Sequence, residues 1–235
     1  RVWPGGEEAH PAEAAMMQEV VDAMRARGVF ASVDIHNNTG LNPHYACVNR
    51  LEQDFLHLAV LFSRIVVYFI RPRGVQSAAF AELCPAVTVE CGKPGTPGGV
   101  EHAAAFMEAC LHLSEFPAHP LPPHDVDLFH TVATVKVPQQ LSFGFGAPDA
   151  DIDFVPELDH YNFRELAHGD AWGRVRQGRL LALDETGTDI GDRLFDYRKN
   201  EITLRRPLMP AMLTRDERVI RQDCLCYLME RIAYP

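Results

Sequence analysis

Several features that would place a chain in a specialised class are missing from these 235 residues. No apolar run approaches the roughly 18 to 20 residues that a membrane-spanning helix needs, since the longest covers residues 65–70. The N-terminus lacks a signal-peptide pattern, and we find neither an internal repeat nor a low-complexity tract. The composition, with 47% hydrophobic and 23% charged residues, is that of an ordinary globular protein.

An excess of positive charge is also missing, since the formal net charge is −10. This balance disfavours nonspecific binding to nucleic acid but leaves room for a local cationic pocket and an anionic small substrate. The six cysteines have no zinc-finger or disulfide-framework spacing, and a chain of this length can stabilise itself by burial. We therefore expect reduced thiols, a cytoplasmic protein, and no nucleic-acid or membrane partner. The oligomeric state stays open, with a homo-oligomer as one alternative.

Helical and strand patterns alternate through the first half of the chain. Apolar residues at helical spacing predict helices, and apolar runs of strand length, partly β-branched, predict strands between them. This alternation predicts an α/β fold with a mostly parallel or mixed sheet covered by helices. The predicted helices cover residues 11–27 and 51–63 and one that begins near residue 98; the predicted strands cover residues 29–36, 45–48, 65–70 and 86–89.

A proline-rich stretch at residues 117–124 cannot form a regular helix and is typical of a linker. We therefore predict an α/β domain over residues 1–116. Residues 125–235 contain short apolar runs between glycine and aspartate turns, a pattern that predicts a smaller, β-rich domain. A closing helix is expected over residues 216–231.

The strand at residues 29–36 ends abruptly in a polar cluster that includes His36, Asn37 and Asn38. In an open α/β sheet, ligands bind at the carboxyl ends of the strands, so His36 is a candidate ligand or catalytic group. Asp34 lies two residues earlier and therefore points to the same side, where it can orient the imidazole. The alternative is that His36 is a hydrogen-bonded cap.

A second strand of the same predicted sheet ends in Glu90. A carboxylate at the mouth of an apolar strand is partly desolvated, which raises its pKa and suits it to general-base or general-acid work. Equally, Glu90 could cap a helix or pair with a cation. Cys91 is more simply a buried, inert thiol than a nucleophile, because no histidine is placed to activate it. His44 and Tyr45 are weaker candidates for lining the pocket.

Three segments, taken together and in this order, resemble the succinylglutamate desuccinylase/aspartoacylase family, a branch of the zinc carboxypeptidase superfamily. The similarity spans residues 1 to about 114, and a weaker similarity to the β-rich C-terminal domain of the family occurs at residues 162–169. The three segments are residues 1–5 (Arg-Val-Trp-Pro-Gly), 34–40 (Asp-Ile-His-Asn-Asn-Thr-Gly) and 87–92 (Val-Thr-Val-Glu-Cys-Gly).

The resemblance implies a zinc ion held by a His-x-x-Glu pair and by His36, with Glu90 as the base that activates a zinc-bound water. It also implies that Arg1 binds the substrate carboxylate, a task that suits a planar guanidinium. Asn37 is a further candidate for substrate binding, although a turn role explains it equally well. The expected function is zinc-dependent hydrolysis of an amide bond in a small carboxylate-bearing substrate, an N-acyl amino acid or short peptide. The alternative is a catalytically silent fragment or binding module.

Two departures from the family pattern affect this expectation. The His-x-x-Glu pair does not precede Arg1, so we expect that roughly the first third of a family member is missing from this chain. His10 and Glu13 have the spacing but follow the arginine motif, which is the wrong order. The tyrosine and arginine that grip a second carboxylate in aspartoacylases have no clear counterpart in residues 74–83, so N-acetylaspartate is not implied as the substrate.

Overall fold

The computed structural model describes residues 2–6 and 10–234. The alternation of helices and strands predicted for the first half of the chain is present. The helices are α1 (Pro11–Arg27), α2 (Gln53–Phe62), α3 (Gln76–Phe80), α4 (Pro97–Leu111), α5 (Gly191–Leu194) and α6 (Glu217–Gln222). The strands are β1 (Ser32–His36), β2 (Tyr45–Val48), β3 (Ile65–Tyr68), β4 (Ala86–Glu90), β5 (Asp127–Lys136), β6 (Phe143–Phe145), β7 (Ile152–Phe154), β8 (Ala171–Val175), β9 (Leu181–Leu183), β10 (Phe195–Asp196), β11 (Glu201–Leu204), β12 (Met209–Ala211) and β13 (Cys226–Arg231).

An eight-stranded mixed sheet organises the molecule, in the order β1-β4-β2-β3-β5-β13-β12 with β9 also paired to β5. The pairs β1/β4, β2/β3 and β3/β5 are parallel, whereas β2/β4 and β5/β13 are antiparallel. The predicted fold class, a mixed or mostly parallel sheet covered by helices, is confirmed.

The two faces of this sheet differ because successive strand residues point to opposite sides. Ala46, Val66 and Val89 lie on one face and pack in the same core as the buried residues Leu56 and Phe106 of α2 and α4. The opposite face carries Tyr45, Cys47, Val67, Thr88 and Glu90. The first face therefore packs against helices, and the second combines a smaller buried cluster around Tyr45 and Val67 with the polar side chains of Thr88 and Glu90.

A second, five-stranded sheet, in the order β10-β11-β8-β7-β6, lies wholly within the C-terminal half. Its core is built around Trp172, Phe154 and Phe195, which are almost completely buried. The proline-rich residues 117–124 lead directly into β5, and β5, β9, β12 and β13 join the large sheet. The domain boundary proposed from the sequence therefore lies between strands that share one sheet, and it stays a prediction.

The predicted closing helix over residues 216–231 is wrong for most of its length. Asp216 caps the short helix α6 by accepting from the N–H groups of Arg218 and Val219, and the chain then enters β13. Cys226 and Leu228 are fully buried because β13 lies between β5 and β12. A short run that is apolar at both the helical and the strand period does not distinguish the two structures.

Among the helices of the described residues, none has the length and apolar character required to cross a membrane.

Candidate functional site

His36 and Glu90 lie side by side at the carboxyl ends of two adjacent strands. β1 and β4 are parallel, and their register pairs His36 directly with Glu90. The distance from Nδ1 of His36 to Oε1 of Glu90 is 3.8 Å. The juxtaposition expected from the two strand ends is therefore present, and it places an imidazole and a carboxylate at one edge of the sheet.

Asp34 orients the imidazole, as the spacing of the two residues predicts. Its Oδ2 lies 3.0 Å from Nε2 of His36, on the same side of β1. The hydrogen bond with Asp34 raises the pKa of His36, with a further contribution from the negative charge of Glu90, against the opposing effect of burial. The His36 side chain is still 49% exposed, so the site opens to solvent at this residue.

Glu90 is a buried carboxyl group, with 5% of its surface exposed. Burial raises its pKa, while a hydrogen bond from Nδ2 of Asn38 to Oε2, 3.1 Å long, opposes that rise. A raised pKa lies closer to neutral pH, so at that pH the carboxyl group can both accept and return a proton.

A chain of hydrogen bonds connects Glu90 to the C-terminal half of the protein. Asn42 donates from Nδ2 to Oδ1 of Asn38 at 2.8 Å, and the N–H of Met212 donates to Oδ1 of Asn42 at 2.9 Å. The buried amide of Asn38 is thus fixed from both ends. The sequence singled out Asn37 as a candidate for substrate binding, whereas the amide that contacts Glu90 is that of Asn38.

The other residues proposed from the sequence have varied positions. Asn37 is exposed and donates to the carbonyl of Gly92 at 3.4 Å, while Tyr45 is buried and lines the cavity next to Glu90. His44 stacks on His102, with ring centroids 4.8 Å apart. Cys91 is buried, and burial raises the pKa of its thiol, which fits an inert group. Arg1 lies outside the described residues.

A cavity of about 240 Å³ lies against the second face of the large sheet and includes His36 and Glu90 in its lining. Sequence reasoning missed Arg71, which lines the cavity and donates from Nε to the carbonyl of Glu185 at 2.6 Å. Arg71 directly follows the predicted strand 65–70, so the rule that located His36 and Glu90 also applies to it. The contributions of β12 and β13 depend on long-range pairing and have no such signal.

The described residues do not by themselves form a zinc site. A protein zinc site has three or four protein ligands. His36 supplies one imidazole, and that imidazole already contacts Asp34. Among residues 2–6 and 10–234, no group of three or more histidine, cysteine, aspartate or glutamate side chains is arranged to hold a metal ion. His36 and Glu90 are compatible with part of such a site, and a bound zinc ion requires ligands other than these.

No known family model matches the sequence, and no curated protein matches it. The fold, in contrast, is similar to several crystal structures. Murine aminoacylase 3 has a TM-score of 0.57 and 14% identity, with 97% of this chain and 72% of that chain covered. A succinylglutamate desuccinylase/aspartoacylase from Rhodobacter sphaeroides has a TM-score of 0.56 and 15% identity, with 99% of this chain and 67% of that chain covered. The succinylglutamate desuccinylase from Vibrio cholerae has a TM-score of 0.55 and 16% identity, with 98% of this chain and 64% of that chain covered.

This chain therefore spans between 64% and 72% of the length of these three structures. At such identities the likeness concerns the fold. The resemblance to the succinylglutamate desuccinylase/aspartoacylase family, inferred from three short segments, is supported at that level across nearly the whole chain.

Proposed function

We propose that this chain, which has the fold of the aminoacylase and desuccinylase structures, carries the general base of a hydrolase that cleaves the amide bond of a small N-acylated, carboxylate-bearing compound. The observation that carries the proposal is the pairing of His36 with Glu90 in the lining of a cavity. The names of the structural neighbours support deacylation as the reaction class.

In this reaction, Glu90 is the general base. Its carboxylate removes a proton from water as the water oxygen bonds to the amide carbonyl carbon, and the same proton then passes to the amine as the carbon–nitrogen bond breaks. The products are a carboxylic acid and a free amine. The raised pKa of Glu90 suits both transfers, because the carboxyl group must first take the proton and then release it.

Zinc is part of the proposal through the family resemblance, with His36 as one ligand. When bound, the ion would polarise the carbonyl and acidify water. The described residues lack the other ligands, so a zinc-dependent reaction depends on groups other than these.

The test is a deacylation assay on the longest natural form of the protein that contains these residues. Glu90→Gln keeps the shape of the side chain but removes the base, so turnover should fall by about two to four orders of magnitude. Glu108→Gln is the matched control, because Glu108 is an exposed carboxylate on α4 outside the cavity. Equal activity of the wild type and Glu90→Gln would remove Glu90 from this role.

A second candidate function is a binding module that keeps the fold without catalysis. The incomplete set of metal ligands among the described residues favours it. Such a module would bind N-acyl amino acids, and neither the wild type with added zinc nor Glu90→Gln would hydrolyse them.

A further inference from the structure

The cavity next to Glu90 has walls that are mainly apolar. Cys47, Val67 and Phe69 come from β2, β3 and the residue that follows β3, and Met229 comes from β13. Ala211 and Met212, at the end of β12, complete this wall. A group that enters the cavity therefore exchanges water for hydrocarbon and sulfur contacts.

Most of the residues named in this apolar surface lie on strands. Cys47 and Val67 are register partners on adjacent strands, and they share the sheet face that carries Glu90. Val67 and Met229 are also members of one buried apolar cluster. Because sheet residues hold their positions more firmly than loop residues, the shape of the cavity can discriminate between substrates.

Met212 has a backbone conformation that is unusual for a side chain of its size. Its φ is 61°, in the left-handed region, and its N–H is held by Oδ1 of Asn42. Such conformations persist where the surroundings fix them, and they cluster at ligand-binding sites. Here the consequence is that Met212 lines the cavity and is tied, through Asn42 and Asn38, to the catalytic carboxylate.

The charges in the lining disfavour an anionic substituent. Glu90 and Asp223 both line the cavity, and Arg71 brings a positive charge to the same lining. A carboxylate that entered would lose hydration against apolar walls, and the lining sets two acidic side chains against the single guanidinium of Arg71. An uncharged apolar group meets neither penalty.

The volume of the cavity is large enough for an aromatic ring. The cavity measures about 240 Å³, and an engineered apolar cavity of about 150 Å³ is enough to bind benzene. A phenyl or indole group, or a branched alkyl group, can therefore enter while the adjoining amide stays next to Glu90.

We propose that this cavity selects substrates whose amide adjoins an aryl or bulky alkyl group, over substrates with a second carboxylate at that place. The inference rests on the proposed function, which places the reacting amide next to Glu90 in the lining of the cavity. It narrows the substrate class to apolar N-acyl amino acids.

Two non-hydrolysable ligands give a direct test. 3-Phenylpropanoate and succinate share a carboxylate and a two-carbon spacer and differ only in a phenyl ring against a second carboxylate. Calorimetric titration of the wild type should show 3-phenylpropanoate binding at least about tenfold more tightly than succinate. Equal or tighter binding of succinate overturns the inference, and so does the absence of binding by both ligands.

A substitution that fills the cavity should remove the preference for 3-phenylpropanoate over succinate. Cys47→Phe places a ring in the cavity floor and should weaken binding of 3-phenylpropanoate by about tenfold or more. Cys110→Phe is the matched control, because Cys110 is also partly buried but lies on α4, outside the cavity. If Cys47→Phe fails to fold, Ala211→Val narrows the cavity more gently and should weaken binding in the same direction. Unchanged binding in a folded variant counts against the inference.

Kinetics then identify which side of the amide enters the cavity. A higher kcat/KM for N-acetylphenylalanine than for N-benzoylglycine assigns the amino-acid side chain, and the reverse order assigns the acyl group. Both substrates should exceed N-acetylaspartate, and a preference for N-acetylaspartate overturns the inference while leaving the hydrolase in place. Selective binding of 3-phenylpropanoate without hydrolysis of any N-acyl substrate removes the proposed function and retains the apolar binding site.

Discussion

Nδ2 of Asn38 donates a hydrogen bond to Oε2 of Glu90 over 3.1 Å, and both side chains are buried. Asn38 is in turn bonded to Asn42, which accepts from the N–H of Met212, 170 residues further along the chain. The geometry of the proposed base therefore depends on how the C-terminal half packs on the loop after β1. Residues that never touch substrate can affect catalysis through this contact.

Removing the Asn38 amide should shift the pH dependence of hydrolysis. The bond to Asn38 lowers the pKa of Glu90 and opposes the effect of burial, so its loss raises that pKa further. A general base must be ionised, and the acidic limb of kcat/KM in Asn38→Leu should therefore move to higher pH. The displacement is measured as the change in the midpoint of the acidic limb between the wild type and Asn38→Leu.

Asn37→Ala is the control for this experiment. Asn37 is exposed and bonds to the carbonyl of Gly92, so the substitution can reduce kcat/KM if Asn37 binds substrate. It should leave the midpoint of the acidic limb in place. An identical displacement in both variants would mean that the Asn38 contact does not tune Glu90.

The ionised form of Glu90 should reduce the stability of the fold. Because burial raises its pKa above the ordinary 4.5, the folded chain holds this proton more tightly than the unfolded chain. Stability from this group is therefore lost as the pH rises from that ordinary value through the raised one. Glu90→Gln carries no charge and should raise the urea midpoint at pH 8 more than at pH 5. A gain that is the same at both pH values would contradict this assignment.

The polar end of each strand was the most informative part of the sequence. The apolar runs that end at His36 and Glu90 predicted two adjacent strands, and parallel pairing then placed both side chains at one edge. This inference needs only local patterns and one rule of topology. The Asp34–His36 contact followed from strand periodicity alone.

Features that depend on contacts between distant parts of the chain could not be predicted from the sequence. Met229 reaches the cavity because β13 inserts between β5 and β12, and the same segment has an apolar pattern that also fits a helix. The choice of Asn38 over Asn37 depends on which amide faces Glu90 in the loop after β1. Neither feature has a local signature.

The described residues should not retain zinc tightly. Within residues 2–6 and 10–234, His36 is not part of a group of three or more side chains that could hold a metal ion, and stable zinc sites take three or four protein ligands. Residues 1–235, loaded with zinc and passed through gel filtration, should keep much less than one equivalent, as measured by atomic emission. Stoichiometric zinc that is lost in His36→Asn would show that these residues suffice.

Gly40 should prove necessary for the loop that holds Asn38. A Cβ atom at this position would lie 2.2 Å from the carbonyl oxygen of Leu213 and 2.7 Å from Nδ2 of Asn42, so one of these groups must move. Gly40→Ala should therefore cost about 1–3 kcal/mol of unfolding free energy, measured by urea titration. It should also lower kcat, because displacement of Asn42 loosens the contact between Asn38 and Glu90.

Gly98→Ala is the control that separates the effect of close contacts at Gly40 from the general effect of replacing a glycine by alanine. Gly98 lies in α4, where an added Cβ meets nothing within 4 Å. Gly98 is the second residue of α4, and alanine has the higher helix propensity of the two, so this variant should be as stable as the wild type or more stable, with unchanged turnover. If Gly40→Ala behaves like Gly98→Ala, the loop does not depend on close approach to Leu213, and the link from the C-terminal half to Glu90 is looser than the hydrogen bonds indicate.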